Sequence, residues 1–222
     1  MIPPKQNADF VARMEDVLDV YQWKYDESWP VVCMDEQPVQ LVKEVRTPIP
    51  PSPGRTSKFD YEYERAGTAN IFMFTEPPGC WRKAVVRERK TMIDWAEEIH
   101  DLLTIDYPDA EKVVLVCDNL NSHRLASLYE RYEPELARSL AERLDIHFTP
   151  KHGSWLNVAE CELSVLTRQC LSRRIPTVTA LRKAVTAWTN ARNESQVGIN
   201  WQFTTTDARI KLKRLYPQIE MC

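Results

Sequence analysis

Val113-Val114-Leu115-Val116-Cys117, followed at once by Asp118-Asn119, is the strongest strand signal in the chain. An apolar run of this length without alternation reads as a strand covered on both faces, and so as a central strand of a sheet with helices on either side. Its carboxyl end delivers an aspartate. Upstream, Val31-Val32-Cys33-Met34 is a shorter run of the same kind that ends at Asp35. In open sheets ligands gather outside the carboxyl ends of strands, which would make Asp35 and Asp118 neighbours. Taken singly, either aspartate reads more readily as a loop cap, Asp118-Asn119 above all, because both side chains favour turns.

Outward from these two strands the chain alternates between helical and extended patterns. Phe10, Met14, Val17, Leu18 and Tyr21 recur at helical spacing after Asn7, a candidate N-cap, over residues 8–23. The proline-rich stretch 47–54 suits an extended surface excursion. Phe59, Tyr61 and Tyr63 alternate with Asp60, Glu62 and Glu64 as in a half-buried strand, which Gly67 should break; 69–75 and 81–89, separated by Pro77-Pro78-Gly79, read as an antiparallel meander. Thr91 and Asp94 form a capping pattern for a helix to about residue 105. Pro134 opens another helix with Leu136, Leu140 and Leu144 on one stripe, 145–149 is a short strand, and three helices close the chain at about 155–172, 178–193 and 206–215, the last capped by Thr206. The order implies an α/β fold in which a mixed sheet is flanked by helices. Residues 1–30 are expected to form an N-terminal helix and linker arm, 31–175 the core, and 176–222 C-terminal helices packed on it.

At 222 residues, 43% hydrophobic and 27% charged, the composition is globular and no apolar run approaches a membrane span. No signal peptide opens the chain, and its scattered cysteines lack any C-x-x-C spacing, so the expected setting is a reducing cytoplasm without disulfides or structural zinc. A net charge of −3 argues weakly against nucleic acid, but its distribution is uneven. Basic residues cluster at Arg82, Lys83, Arg87, Arg89 and Lys90, and again at Arg168, Arg173, Arg174, Arg182 and Lys183; either cluster also reads as a solvated face.

Two aspartates alone would hold hard divalent cations poorly, so a third carboxylate is sought. Glu160 lies four residues after Leu156 and three before Leu163 and is expected on their inward stripe, whereas Glu162 should face away as a surface charge. The plainer reading of Glu160 is a core-edge glutamate paired with a nearby Arg or Lys.

Cys33-Met34-Asp35-Glu36, Cys117-Asp118-Asn119, His123 and the stretch from Thr149-Pro150-Lys151-His152-Gly153-Ser154-Trp155 to Leu156-Asn157-Val158-Ala159-Glu160 together resemble the insertion sequence 630 family of transposases, bacterial relatives of the Tc/mariner elements. The likeness extends over Asp60-Tyr61-Glu62-Tyr63 and the tail from Trp201 to Pro217. One departure is Leu-Asn-Val-Ala-Glu where many relatives read Leu-Asn-Pro-Ile-Glu. The resemblance implies an RNase H-like fold with a five-stranded sheet, with Asp35, Asp118 and Glu160 as the catalytic acids and metal ligands. It further implies two Mg²⁺ ions, replaceable by Mn²⁺, roughly 4 Å apart around the scissile phosphate. Water would cut at the transposon end, and the freed 3′ hydroxyl would then attack target DNA, typically at a TA step.

The implied partner is double-stranded DNA, both transposon ends and target, bound by a homodimer in a bacterial cytoplasm and at the nucleoid. Candidate DNA contacts are Asn119 and His123, for which turn and helix-cap roles are the plainer readings, the loop residues Lys151 and His152, and Arg168, Arg173 and Arg174. Trp155 reads as core. There is no room before residue 31 for the helix-turn-helix region that recognises element ends, so the expectation is a catalytic domain with little sequence preference of its own. Two alternatives stay open: an RNase H-like nuclease without strand transfer, and a catalytically silent DNA-binding or scaffold protein.

Overall fold

The computed structural model describes residues 7–58 and 60–218. Its sheet contains β1 (Val31–Glu44), β2 (Tyr63–Glu76), β3 (Trp81–Arg87), β4 (Val113–Cys117) and β5 (Leu144–Phe148) in the order β3-β2-β1-β4-β5. β1, β2 and β3 form the antiparallel meander, while β4 and β5 run parallel to β1. Every residue of β4 is buried, which is why its sequence shows no alternation. The mixed five-stranded sheet is therefore as expected.

The described helices are α1 (Ala8–Val20), α2 (Met92–Asp101), α3 (Ala126–Arg131), α4 (Pro134–Glu142), α5 (Val158–Gln169), α6 (Val178–Glu194) and α7 (Thr205–Lys211). Strand pleating sorts the core into two halves. Cys33, Ile71, Met73, Val114 and Val116 pack with Phe10, Met14 and Leu18 of α1, Leu163 and Leu166 of α5, Leu181 and Val185 of α6, and Ala208 of α7. On the other face Val32, Met34, Phe72, Phe74, Leu115 and Cys117 meet Trp95 and Ile99 of α2, Leu128 of α3, and Ala137 and Leu140 of α4. Each fully buried large apolar side chain contributes about 1.5–3 kcal/mol, so both layers are needed to offset the entropy of ordering the chain.

Local chemistry sets the helix starts. The Asn7 side chain accepts from the Phe10 N–H at 2.9 Å, and Thr91 with Asp94 forms the anticipated capping box of α2. The last helix is capped by Thr204, in a box with Asp207, and not by Thr206. α3 had no counterpart in the sequence reading; six residues are too few to show a helical period.

Three expectations about strands need correction. β1 does not stop at Asp35 but continues to Glu44 through Pro38. It pairs with β4 only over residues 31–33, so beyond Cys33 it is an edge strand, where proline is tolerated. Gly67 does not break β2. It sits at φ +102° opposite a register slip between Gln40 and Val42, a bulge that glycine accommodates, and its carbonyl accepts from Gln40 Nε2 at 2.5 Å. The half-buried strand expected from residue 59 is absent where it can be examined: Phe59 lies outside the described residues, Tyr61 is exposed, and β2 begins only at Tyr63.

A fourth correction bears on the site. The helix expected over 155–172 is a 3-10 turn, Ser154–Leu156, then a break at Asn157, then α5. Leu156 therefore lies outside α5 and shares no stripe with Glu160. Glu160 is exposed, and Glu162 is wholly buried against Arg82 and Arg192.

Candidate active site

Asp35 projects from β1 on the α5 side of the sheet, just past the last residue paired with β4. Its Oδ1 accepts from the Glu36 N–H at 2.7 Å and its Oδ2 from Asn157 Nδ2 at 3.3 Å. Burial pushes the Asp35 carboxyl up to about 7, and the negative fields of Glu160 and Asp118 add to the rise while the Glu36 N–H opposes it. Asp118, immediately beyond β4, and Glu160, in the first turn of α5, are thus each close enough to act on Asp35.

Asn157 is the residue that the sequence reading quoted but assigned no role. It is 1% exposed. Its Oδ1 accepts from the Ala159 N–H at 3.1 Å, capping α5, while its Nδ2 donates to the Met34 carbonyl at 2.8 Å as well as to Asp35. One amide therefore fixes the start of the helix bearing Glu160 to the strand bearing Asp35. The available signal was its place as an N-cap candidate ahead of a helix.

His123 is fully buried, so its ring nitrogens face protein and not a DNA phosphate. Nε2 donates to Glu36 Oε1 at 3.0 Å. Nδ1 bonds to the Asp118 carbonyl at 3.2 Å and lies 2.6 Å from Asp118 Oδ1, a close ion-pair contact not aligned as a hydrogen bond. Burial opposes charge on the ring, but its contacts with Asp118, Cys117 and Glu36 outweigh that and hold it up at about 12, as an imidazolium. Trp95 of α2 stacks against it with ring centroids 5.9 Å apart.

Of the other candidate contacts, Asn119, Lys151 and His152 are exposed on the loops that follow β4 and β5, at the Asp118 edge of the sheet. His152 adopts φ +67° in a tight turn whose Gly153 allows no side chain, since a Cβ there would stand 2.6 Å from the Pro150 ring. Arg168 and Arg173 are exposed at the far end of α5, Arg168 about 12 Å along the axis from Glu160. Arg174 is engaged within the protein, binding Glu44 and the carbonyls of Asp60 and Glu62. The other basic cluster is divided: Arg82 is 1% exposed and Arg87 pairs with Asp94, Glu97 and Glu98, whereas Arg89 and Lys90 are exposed. A cavity of about 510 Å³ between α1 and the 198–201 segment is lined by Tyr21, Trp23, Tyr25, Trp29 and Trp201, but by none of the three acids. The acids instead lie along an open edge, a shape that suits an extended polymer more than a small molecule.

Among the described residues no three His, Cys, Asp or Glu side chains stand close enough to enclose a metal ion as they are placed. The donor set nevertheless fits a hard divalent cation. It consists of carboxylate oxygens, no Lys or Arg pairs with Asp35, Asp118 or Glu160 within the described residues, and the negative fields of Glu160 and Asp118 add to the burial that raises Asp35.

The family model for DDE superfamily endonucleases matches residues 30–182. Among solved structures, the chain is similar to the Mos1 mariner paired end complex with Mn (15% identity, TM-score 0.57, covering 88% of this chain and 59% of that one) and to the Mos1 strand transfer complex (15%, 0.57, 85% and 55%). It is also similar to the Mos1 paired end complex with Mg (14%, 0.54, 98% and 66%). This chain thus spans less than two thirds of the length of those it resembles. A search of curated proteins finds no match. At these identities the structural likeness concerns the fold, which is RNase H-like. The family match runs over most of the chain and takes in β1 with Asp35, β4 with the Asp118 that follows it, and α5, and by it the chain belongs to the DDE superfamily endonucleases.

Proposed function

We propose that the chain is the catalytic domain of a cut-and-paste transposase, with residues 31–175 as its core, in which Asp35, Asp118 and Glu160 are the catalytic acids and metal ligands. The observation that carries this reading is a largely buried aspartate raised to about 7 beside two further carboxylates, with no Lys or Arg paired to any of the three among the described residues and only the His123 ring against Asp118. Membership of the superfamily implies a divalent metal. Bound there, two Mg²⁺ or Mn²⁺ ions would activate the attacking oxygen and stabilise the leaving 3′ oxygen of the scissile phosphodiester.

The protein's own part is position and field. Asn157 and the Glu36 N–H fix both oxygens of Asp35. Glu160, exposed in the first turn of α5, would complete the set. Asn119, Lys151 and His152 lie where they can meet the phosphates of a duplex laid along the open edge, and Arg168 and Arg173 would extend that track. Water is the nucleophile for cleavage, and the freed 3′ hydroxyl occupies its position for joining to target DNA. The relatives' paired-end and strand-transfer complexes support DNA as the partner and a homodimer as the working unit. No helix among the described residues is long and apolar enough to cross a membrane. The reading places the chain in the bacterial cytoplasm, at the nucleoid when on DNA.

The test is Mn²⁺ binding and nicking of supercoiled plasmid by the wild type and by Asp118→Ala, followed by joining of a 3′-hydroxyl oligonucleotide to plasmid. Metal-dependent nicking and joining, both lost in the variant, are expected. Nicking without joining would instead mark a nuclease, and metal binding equal in both proteins would remove Asp118 from the site.

A further inference from the structure

Glu36 follows Asp35 on β1 and, by strand alternation, points through the sheet to the opposite face. There its side chain is 2% exposed, with Oε1 accepting from His123 Nε2 at 3.0 Å and Oε2 standing 3.7 Å from Lys90 Nζ. The His123 ring is 0% exposed and stacked on Trp95, and its backbone N–H is tied to the Leu120 carbonyl, so neither ring nor loop is free to turn. The opposite ring nitrogen reaches Asp118 Oδ1 at 2.6 Å. Asp118 itself lies past the end of β4 with a side chain 37% exposed, and a loop carboxylate in that position would otherwise sample several rotamers.

We propose that Glu36 and His123 form a buried relay that sets the orientation of Asp118, holding Oδ1 from inside the protein so that Oδ2 is presented to the metal. This rests on the reading of Asp118 as a ligand. The two are positioning residues, since neither touches the reacting atoms. The arrangement gives β1 two tasks through adjacent residues: Asp35 enters the site directly from one face, while Glu36 acts from the other face through the imidazole. Outer-shell partners of this kind fix the ligand's geometry before the ion arrives, so their loss shows first as weaker metal binding.

The experiment is Mn²⁺ titration followed by electron paramagnetic resonance, on the whole chain, for wild type, Asp118→Ala, His123→Ala, His123→Gln, Glu36→Ala, Glu36→Gln and the double variant His123→Ala/Glu36→Ala. His123→Ala is expected to weaken Mn²⁺ about 10–100-fold, and Glu36→Gln, which keeps an acceptor for Nε2, less than about tenfold. The Mn²⁺ concentration giving half-maximal nicking should move by the same factor as the binding constant, with most of kcat regained at saturating metal. Because both residues act through one contact, the double variant should be no worse than the weaker single one. Should His123→Ala not fold, His123→Gln, which keeps the volume but cannot bridge both carboxylates, carries the same test. Wild-type affinity in the His123 and Glu36 variants, or losses that add in the double variant, would overturn the relay while leaving the metal site intact. Wild-type affinity in Asp118→Ala would overturn the site itself, and the relay with it.

Discussion

Glu160 and Glu162 stand two residues apart on one helix, and their surroundings are opposite. Glu162 is 0% exposed; Arg192 donates to both its oxygens, at 3.0 and 3.1 Å, and Arg82 Nε lies 3.5 Å away. Glu160 is exposed, has no basic partner among the described residues, and faces two more acids across the end of β1. The protein has arginines placed to neutralise a glutamate and uses them on Glu162. It leaves Asp35 and Glu160 without an Arg or Lys partner among the described residues and gives Asp118 only the His123 ring, and acids gathered in this way suit a cation from outside.

That contrast can be broken by exchanging the phenotypes of the two residues. Glu160→Gln is expected to take plasmid nicking below detection while the melting temperature stays within a degree or two of wild type; residual nicking near wild-type rates would move the third acid elsewhere. Glu162→Ala should do the reverse. It strands two arginines, so a loss of about 3–5 kcal/mol in urea unfolding is expected, with activity retained by the molecules that remain folded.

Asp35 sharpens the comparison through pH. Its carboxyl is raised in the folded state, so its contribution to stability is complete below its unfolded value near 3.8 and is lost as pH rises through about 7. Without metal, Asp35→Asn should therefore melt several degrees above wild type at pH 8 and nearly with it at pH 4, while losing nicking altogether. Equal melting curves at both values would mean that the cluster is already neutralised. A smaller effect is expected of Asn157→Ala, which removes a cap and a strand tether. About 1–2 kcal/mol should be lost in chemical denaturation, with nicking reduced but not abolished. Smallest is the contrast between Arg173 and Arg174. Arg173→Ala should lower the salt dependence of DNA binding by about one charge, whereas Arg174→Ala should leave that slope unchanged, since its guanidinium is bound to Glu44 and neighbouring carbonyls.

The fold was legible where a run of residues has one physical cause. Val113–Cys117 is apolar throughout because both of its faces are covered, and Thr91 with Asp94 is a capping box that needs only local geometry. Asp118 and Glu160 were legible for the same reason, one just past β4 and the other in the first turn of α5, whereas Asp35 was read as a strand end although β1 runs on to Glu44. What was not legible depends on contacts across the sheet. A one-residue break at Asn157 rotates α5 and exchanges the exposures foreseen for Glu160 and Glu162. The burial of His123 depends on Glu36, far away in the chain and on the strand face turned from the site. No periodicity records either fact.

The clasp around Glu162 also imposes an order of assembly. Arg82 donates to the carbonyls of Arg192 and Val197, and Asn193 bonds both the N–H and the carbonyl of Arg82. During synthesis, β1, β4 and α5 emerge well before these partners do. Until residues 192–197 have left the ribosome, Glu162 has only Arg82 as counter-charge, and Arg82 still lacks its own carbonyl partners, so settling α5 in its native seat is disfavoured. The nascent chain accordingly carries all three acids for some time before it can aim them, and by the proposed function an unfinished chain is a nuclease that cannot yet cut.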